Sequence, residues 1–250
     1  MQILVFDIIG KFGHFRKYYS NSSALSYGIP PRTTICGMIG AILGWPKDSY
    51  YSKMITDECK IGVACKNPIR KTIHKLNYLY VKGTNDLNAS YGNPTQVPFE
   101  VVSAPFLGKD NIRYRIFISH NNELINNELK ERLRKSQCEF SLSLGSANFI
   151  ASIQFIAEIS PEVYYDGEQA LISSVVPLEQ INDFMFDLNQ EKSYLIELVP
   201  FQFNEKRELT CQKEVLYCDS GEGFQLKLHQ PYFKLRYQND ESENIVFMEY

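Results

Sequence analysis

Paired cysteines, long apolar runs and an excess of positive charge are all missing from this 250-residue chain. Cys36, Cys59, Cys65, Cys138, Cys211 and Cys218 include no C-x-x-C pair and no histidine at metal-ligand spacing, so no structural metal is expected. In a reducing compartment they read as small, partly buried hydrophobes. The longest apolar run, Ile35 to Trp45, has eleven residues, against the roughly twenty that span a bilayer. No membrane segment is expected. The first residues, Met1-Gln2-Ile3-Leu4-Val5-Phe6-Asp7, carry no basic region and meet an acid early, so a secretory signal is not expected and the expected location is cytoplasmic. Internal repeats and low-complexity stretches are also missing, and a mean hydropathy of -0.26 is that of an ordinary globular chain.

The net charge of -3 argues by itself against a polyanionic partner, but it averages two opposite halves. Residues 1–155 hold 19 Lys/Arg against 11 Asp/Glu, or +8, and residues 156–250 hold 7 against 18, or -11. A polyanion would therefore meet the first part, while the second faces solvent or a protein partner. Acids are wholly missing from residues 60–82, where Lys60, Lys66, Arg70, Lys71, Lys75 and Lys82 alternate with strand-forming residues.

The densest signal is the segment 12–23. His14, Arg16 and Lys17 supply cationic or titratable groups, Phe12, Phe15, Tyr18 and Tyr19 supply rings, and Ser20, Asn21, Ser22 and Ser23 supply small hydrogen-bonding groups. Phosphate partners, stacking faces and donors in one loop point to single-stranded nucleic acid. The helix that follows is read from Ile35, Met38, Ile39, Ile42 and Leu43, which fall on one stripe. Thr33 or Thr34 is expected to cap it, Gly44 to end it, and Arg32 to stand beside free N–H groups where a phosphate is favoured. His14 is also the first residue to consider for acid–base chemistry.

Ile3–Ile9 reads as a central strand with apolar residues on both faces. A long hairpin is expected over about 63–118, with its loop at 83–96, followed by an amphipathic helix from Asn122 to Leu133 with Leu124, Ile125, Leu129 and Leu133 inward. A strand over Phe149–Ile159 completes the order strand, helix, hairpin, helix, strand. That is the βαββαβ order of an α+β, ferredoxin-like (RRM-like) domain, which RNA-recognition modules use. Residues 1–160 are assigned to it, and 161–250 to a small β-rich C-terminal part. Gly145-Ser146-Ala147-Asn148 reads either as a turn leading into a strand or as a nest of backbone N–H groups.

Two stretches resemble a known family. Phe6-Asp7-Ile8, Gly13-His14-Phe15-Arg16-Lys17-Tyr18-Tyr19-Ser20-Asn21 and Ile29-Pro30-Pro31-Arg32-Thr33-Thr34-Ile35-Cys36-Gly37-Met38-Ile39-Gly40-Ala41 are similar to the start of CRISPR-associated protein family five, type I-B subgroup. Ser143-Leu144-Gly145-Ser146-Ala147-Asn148-Phe149-Ile150-Ala151 resembles the same family's glycine loop. The resemblance implies a Cascade subunit that grips the 5′ handle of the guide RNA, needs no cofactor, and reaches target DNA only through guide pairing. The hairpin would act as a thumb touching the backbone subunit, and the large subunit would be a further neighbour. RNA contacts are expected from His14, Arg16, Lys17, Tyr18, Tyr19, Asn21, Ser22, Arg32, Thr33, Thr34, Arg70, Lys71, Lys75, Gly145, Ser146 and Asn148. Some type I-C relatives cut repeat RNA with a tyrosine and a Lys-His pair. Here Ser119-His120 lacks the lysine and Lys75 follows His74, so no catalytic residue is expected and metal-independent cleavage is the alternative.

Overall fold

A computed structural model describes residues 1–20, 23–87, 94–106, 108–164, 169–184 and 193–249. Its centre is an antiparallel sheet of four strands: β1 (Ile3–Gly10), β2 (Cys59–Cys65), β5 (Ile112–His120) and β6 (Ala151–Ile159), in the order β2-β5-β1-β6. β1 lies inside the sheet because it is apolar on both faces. Leu4, Phe6 and Ile8 enter the main core, and Ile3 and Val5 enter a second cluster on the opposite face.

The first face is covered by the two α-helices among the described residues, α1 (Arg32–Leu43) and α2 (Glu123–Arg134). In α1 the expected stripe is buried, and Gly44 closes the helix at φ +73°. Its N-cap, however, is Pro31 with no side-chain cap, so Thr33 and Thr34 lie inside the first turn instead of capping it. Asn122 caps α2 by accepting the N–H groups of Leu124 and Ile125 at 3.0 and 3.4 Å. Leu129 and Leu133 are buried as expected, but Leu124 is 80% exposed and Asn126 takes the inward place.

The expected hairpin is shorter than 63–118. Its two arms, β3 (Arg70–Leu79) and β4 (Pro94–Ser103), pair from Arg70↔Ser103 to Leu79↔Pro94, while the outer residues of that span are β2 and β5, strands of the central sheet. Within the loop, Thr84–Leu87 forms a short 3₁₀ turn, and residues 88–93 lie outside the described residues.

Beyond residue 160 the regular structure of the described residues is strand, apart from one short 3₁₀ turn at Leu178–Gln180. Six short strands run in the order Glu162–Tyr164, Tyr232–Arg236, Ser242–Ile245, Gln169–Ile172, Phe224–Leu228, Ile181–Phe184. β7 (Tyr194–Phe203) and β8 (Leu209–Cys218) join Val176–Pro177 in a smaller sheet. This part has a small apolar cluster of its own, built from Ile172, Leu216, Phe224, Leu226 and their neighbours, and it also packs on the first part: Val199, Phe201, Val215, Tyr217 and Met248 lie among the residues of β1 and α1, and Phe233, Leu235, Ile245 and Phe247 cover the second face of the central sheet.

Charged pairs tie the two parts together. Arg32 is 2% exposed, so it cannot meet a phosphate in the way expected of it. Its Nε donates to Glu249 at 2.5 Å and its Nη2 to the carbonyls of Met54 and Cys59 at 2.8 and 3.1 Å. Glu249 also accepts the Ile61 N–H at 2.8 Å. Asp7 is fully buried between Arg113 and Arg115, and Glu243 receives Arg115 and Lys66. Since removing one partner of a buried pair costs about 3–5 kcal/mol, Arg32→Ala is expected to lower the unfolding free energy of the chain, read from urea denaturation, by that amount with no RNA present. An unfolding free energy within about 0.5 kcal/mol of the parent, the range of surface substitutions, would show that Arg32 is dispensable to the core.

Candidate nucleic-acid interface

The chain leaves β1 through Gly10 and enters a loop that is held on both sides. His14 N–H donates to the Leu144 carbonyl at 2.9 Å. A Cβ at Gly145 would lie 2.0 Å from the His14 oxygen, and Gly145 has φ +85°, so only glycine lets these two backbones close. The His14 ring stacks on Phe99 of β4 at 4.1 Å, and its Nδ1 donates to the Glu100 carbonyl at 2.7 Å. That acceptor assigns the proton to Nδ1. Burial, assisted by nearby Arg16, lowers the His14 pKa below its ordinary 6.5 despite the Glu100 carbonyl. His14 is thus neutral at pH 7 and serves as a packing and hydrogen-bonding group, not as a phosphate cation.

A second anchor joins loop and hairpin. Ser26 Oγ accepts the Phe15 N–H at 2.9 Å, and Glu100 accepts the Ser26 N–H at 2.8 Å. Between these fixed points a cleft of about 610 Å³ opens, lined by His14, Phe15, Arg16, Ser23, Ala24, Thr34, Tyr78, Val97, Phe99, Gly145 and Ser146. Of the residues expected to contact RNA, it gathers His14, Arg16, Thr34, Gly145 and Ser146 from three distant parts of the chain.

The others lie elsewhere. Lys17 and Lys71 both donate to Glu197 at 3.0 Å, so the charges expected to face phosphate are turned inward. Tyr18 and Tyr19 are exposed and meet edge to face at 5.2 Å, with the Tyr18 hydroxyl donating to Gln212. Arg70 and Lys75 are exposed, without an ion-pair partner among the described residues, and the alternation of β3 puts them on opposite faces. Asn148 is exposed beyond the cleft and Thr33 faces Tyr50 and Tyr51. Asn21 and Ser22 lie outside the described residues.

Tyr78, Val97 and Phe99 were not singled out from the sequence. The pairs Tyr78↔Thr95, Leu76↔Val97 and His74↔Phe99 put them on one hairpin face, a period-two signal that becomes readable only once the register is known. A larger groove of about 800 Å³ lies at the other end of β6, but its Arg115, Arg134 and Arg236 are each paired with carboxylates. Among the described residues no group of three metal-ligating side chains comes together.

The profile of the family described as CRISPR-associated protein (Cas_Cas5) matches residues 3–192. The chain belongs to the Cas5 family. Its fold is similar to the crystal structure of a CRISPR protein from Archaeoglobus fulgidus, with a TM-score of 0.55 and 14% identity over 98% of both chains. A chain from a CRISPR RNA-guided surveillance complex aligns with a TM-score of 0.48 and 10% identity over 89% of this chain and 91% of that one. No curated protein sequence matches significantly. No helix of this Cas5 chain, among the described residues, is long and apolar enough to cross a membrane. The match ends before Glu197, Glu243 and Glu249, the carboxylates that pair with Lys17, Lys66, Lys71, Arg32 and Arg115.

Two outcomes follow from the His14 geometry. As pH falls through 6.5 the unfolded chain takes up a proton that folded His14 refuses, so this group subtracts stability on the acid side. An NMR titration is expected to place the His14 midpoint below 6.5, and a midpoint at or above that value would contradict the buried, neutral assignment. Gly145→Ala is expected to cost about 1–3 kcal/mol for the left-handed backbone alone, read as a lower unfolding midpoint with shifted His14 resonances.

Proposed function

We infer that this Cas5 chain is a non-catalytic subunit of a type I-B Cascade that binds and caps the 5′ handle of the guide RNA. The observation that carries this reading is the convergence on one cleft of the two family-like stretches and the hairpin. His14 through Arg16 and Thr34 come from the first stretch, Gly145 and Ser146 from the second, and Tyr78, Val97 and Phe99 from β3 and β4. A cleft with aromatic and apolar walls, small hydrogen-bonding groups and one exposed arginine suits an unstacked single strand better than a duplex. The type I-B assignment rests on the sequence resemblance at residues 6–41.

We also read the central domain as ferredoxin-like. The antiparallel order β2-β5-β1-β6, with α1 following β1 and α2 following β5 on the same face, supports that reading. The hairpin is then an insertion between the second and third strands. Ile73, Tyr78, Leu79, Tyr80, Val81 and Leu87 are exposed along it, which suits a thumb lying over RNA and against the backbone subunit. The large subunit is a further expected neighbour, and the complex is expected in the cytoplasm.

Support for a role without turnover comes from the histidines. His14 is committed through Nδ1 to Glu100, while His120 donates from Nε2 to the Lys53 carbonyl and accepts the Asn122 N–H at Nδ1. His120, with both ring nitrogens engaged, is poorly placed to move protons, and His14 has its Nδ1 proton held by a carbonyl.

The test has two arms. The purified chain, incubated alone with repeat RNA, is expected to leave it uncut; cleavage would favour the endoribonuclease alternative. Replacing residues 80–93 with Asn-Gly keeps every β3–β4 pair, so stability is expected to change by no more than about 0.5 kcal/mol. Co-purification with the backbone subunit and guide RNA is expected to fall. Normal assembly at full RNA occupancy would withdraw the thumb assignment.

A further inference from the structure

Glu197 lies on β7, outside the cleft and beyond the part of the chain that the family profile covers, yet it joins the segments that form the cleft. Its carboxylate is 7% exposed and receives four donors. Oε1 accepts Lys17 Nζ and Lys71 Nζ, both at 3.0 Å. Oε2 accepts the Gly28 N–H at 3.0 Å and the Tyr217 hydroxyl at 2.9 Å. Four donors are about all that the lone pairs of one carboxylate can take.

Each donor brings a different piece of the site. Lys17 follows Arg16 in the loop. Lys71 stands at the base of the hairpin whose upper part supplies Tyr78, Val97 and Phe99. Gly28 opens the short turn into α1, which carries Thr34. The Gly28 peptide is fixed from both sides, because its carbonyl accepts the Tyr114 hydroxyl at 2.6 Å. Added bulk there is excluded, since a Cβ would lie 2.3 Å from the Tyr217 oxygen. Burial raises the Glu197 carboxyl, but Lys71, the Gly28 N–H and Lys17 outweigh it and hold the group ionised, below its ordinary value.

We propose that Glu197 is a positioning residue: it sets the spacing of the cleft walls by holding Lys17, Gly28 and Lys71 on one buried carboxylate, and it does so without touching RNA. This rests on the reading of the cleft as the RNA interface. Lys17 and Lys71 are then partners of Glu197 and contribute no phosphate contact.

The test uses the full chain, a fluorescein-labelled single-stranded repeat RNA across a salt series, and methyl NMR of Thr34 and Val97. Those residues lie on different walls of the cleft, whose lining does not include Glu197. In Glu197→Gln both resonances are expected to move or broaden at a temperature where circular dichroism shows the chain folded. RNA affinity is expected to fall about tenfold through lost preorganisation, with the slope of log K against log salt unchanged. Unmoved methyl resonances would overturn the proposal whatever the RNA does. Tighter binding with a steeper slope would also overturn it, by showing that Glu197 withholds two phosphate cations.

Should Glu197→Gln not fold, Lys17→Gln decides the matter. A loss of about 0.7 in the slope, the value of one single-strand phosphate contact, overturns the proposal, and an unchanged slope with moved methyls supports it. If the unaltered chain binds no RNA, the interface reading fails on its own, and the methyl resonances still decide the positioning claim.

Discussion

Arg32 is charged at any pH the protein meets, and it lies in the core at the first residue of α1. A buried guanidinium needs an anion and acceptors for its remaining donors, so the folded state requires the far end of the chain to return with Glu249. That return also brings Met248 into the main core and Phe247 into the second cluster. Much of the arrangement depends on this constraint. The helix start, the segment ending in β2 and the C-terminal strands all meet at one side chain.

The same logic explains the opposite charges of the two parts of the sequence. Read alone, +8 against -11 suggests one face for a polyanion and another for a protein. In the folded chain Lys17 and Lys71 meet Glu197, Lys66 and Arg115 meet Glu243, and Arg32 meets Glu249. Part of the asymmetry is internal complementarity between an N-terminal sheet with its hairpin and a C-terminal β-rich part laid over it. The exposed cations left near the cleft are fewer, with Arg16 on its wall, so the cleft offers more apolar and aromatic surface and less positive charge than the sequence suggested.

Elements governed by neighbouring residues were legible in the sequence. The stripe of α1, the left-handed Gly44 and the central place of β1 follow from local pattern, and the family-like stretches at 6–41 and 143–151 do meet in space. Contacts between remote residues were not legible. Nothing beside Lys17 indicates a carboxylate 180 residues later, and Leu124, five residues before Leu129, stands roughly 140° round the helix from it and turns outward, while Asn126, three residues before Leu129, shares its buried face. The hairpin was seen, but its register, which selects Tyr78, Val97 and Phe99 for the cleft, depends on pairing and not on composition.

Ultraviolet crosslinking of the assembled complex, with crosslinked peptides mapped by mass spectrometry, tests most directly whether guide RNA lies in this cleft. Crosslinks are expected at His14 through Arg16 and at Tyr78 and Phe99, with none at Arg32. Crosslinks confined to the groove of Arg115, Arg134 and Arg236, at the opposite end of β6, would contradict the account.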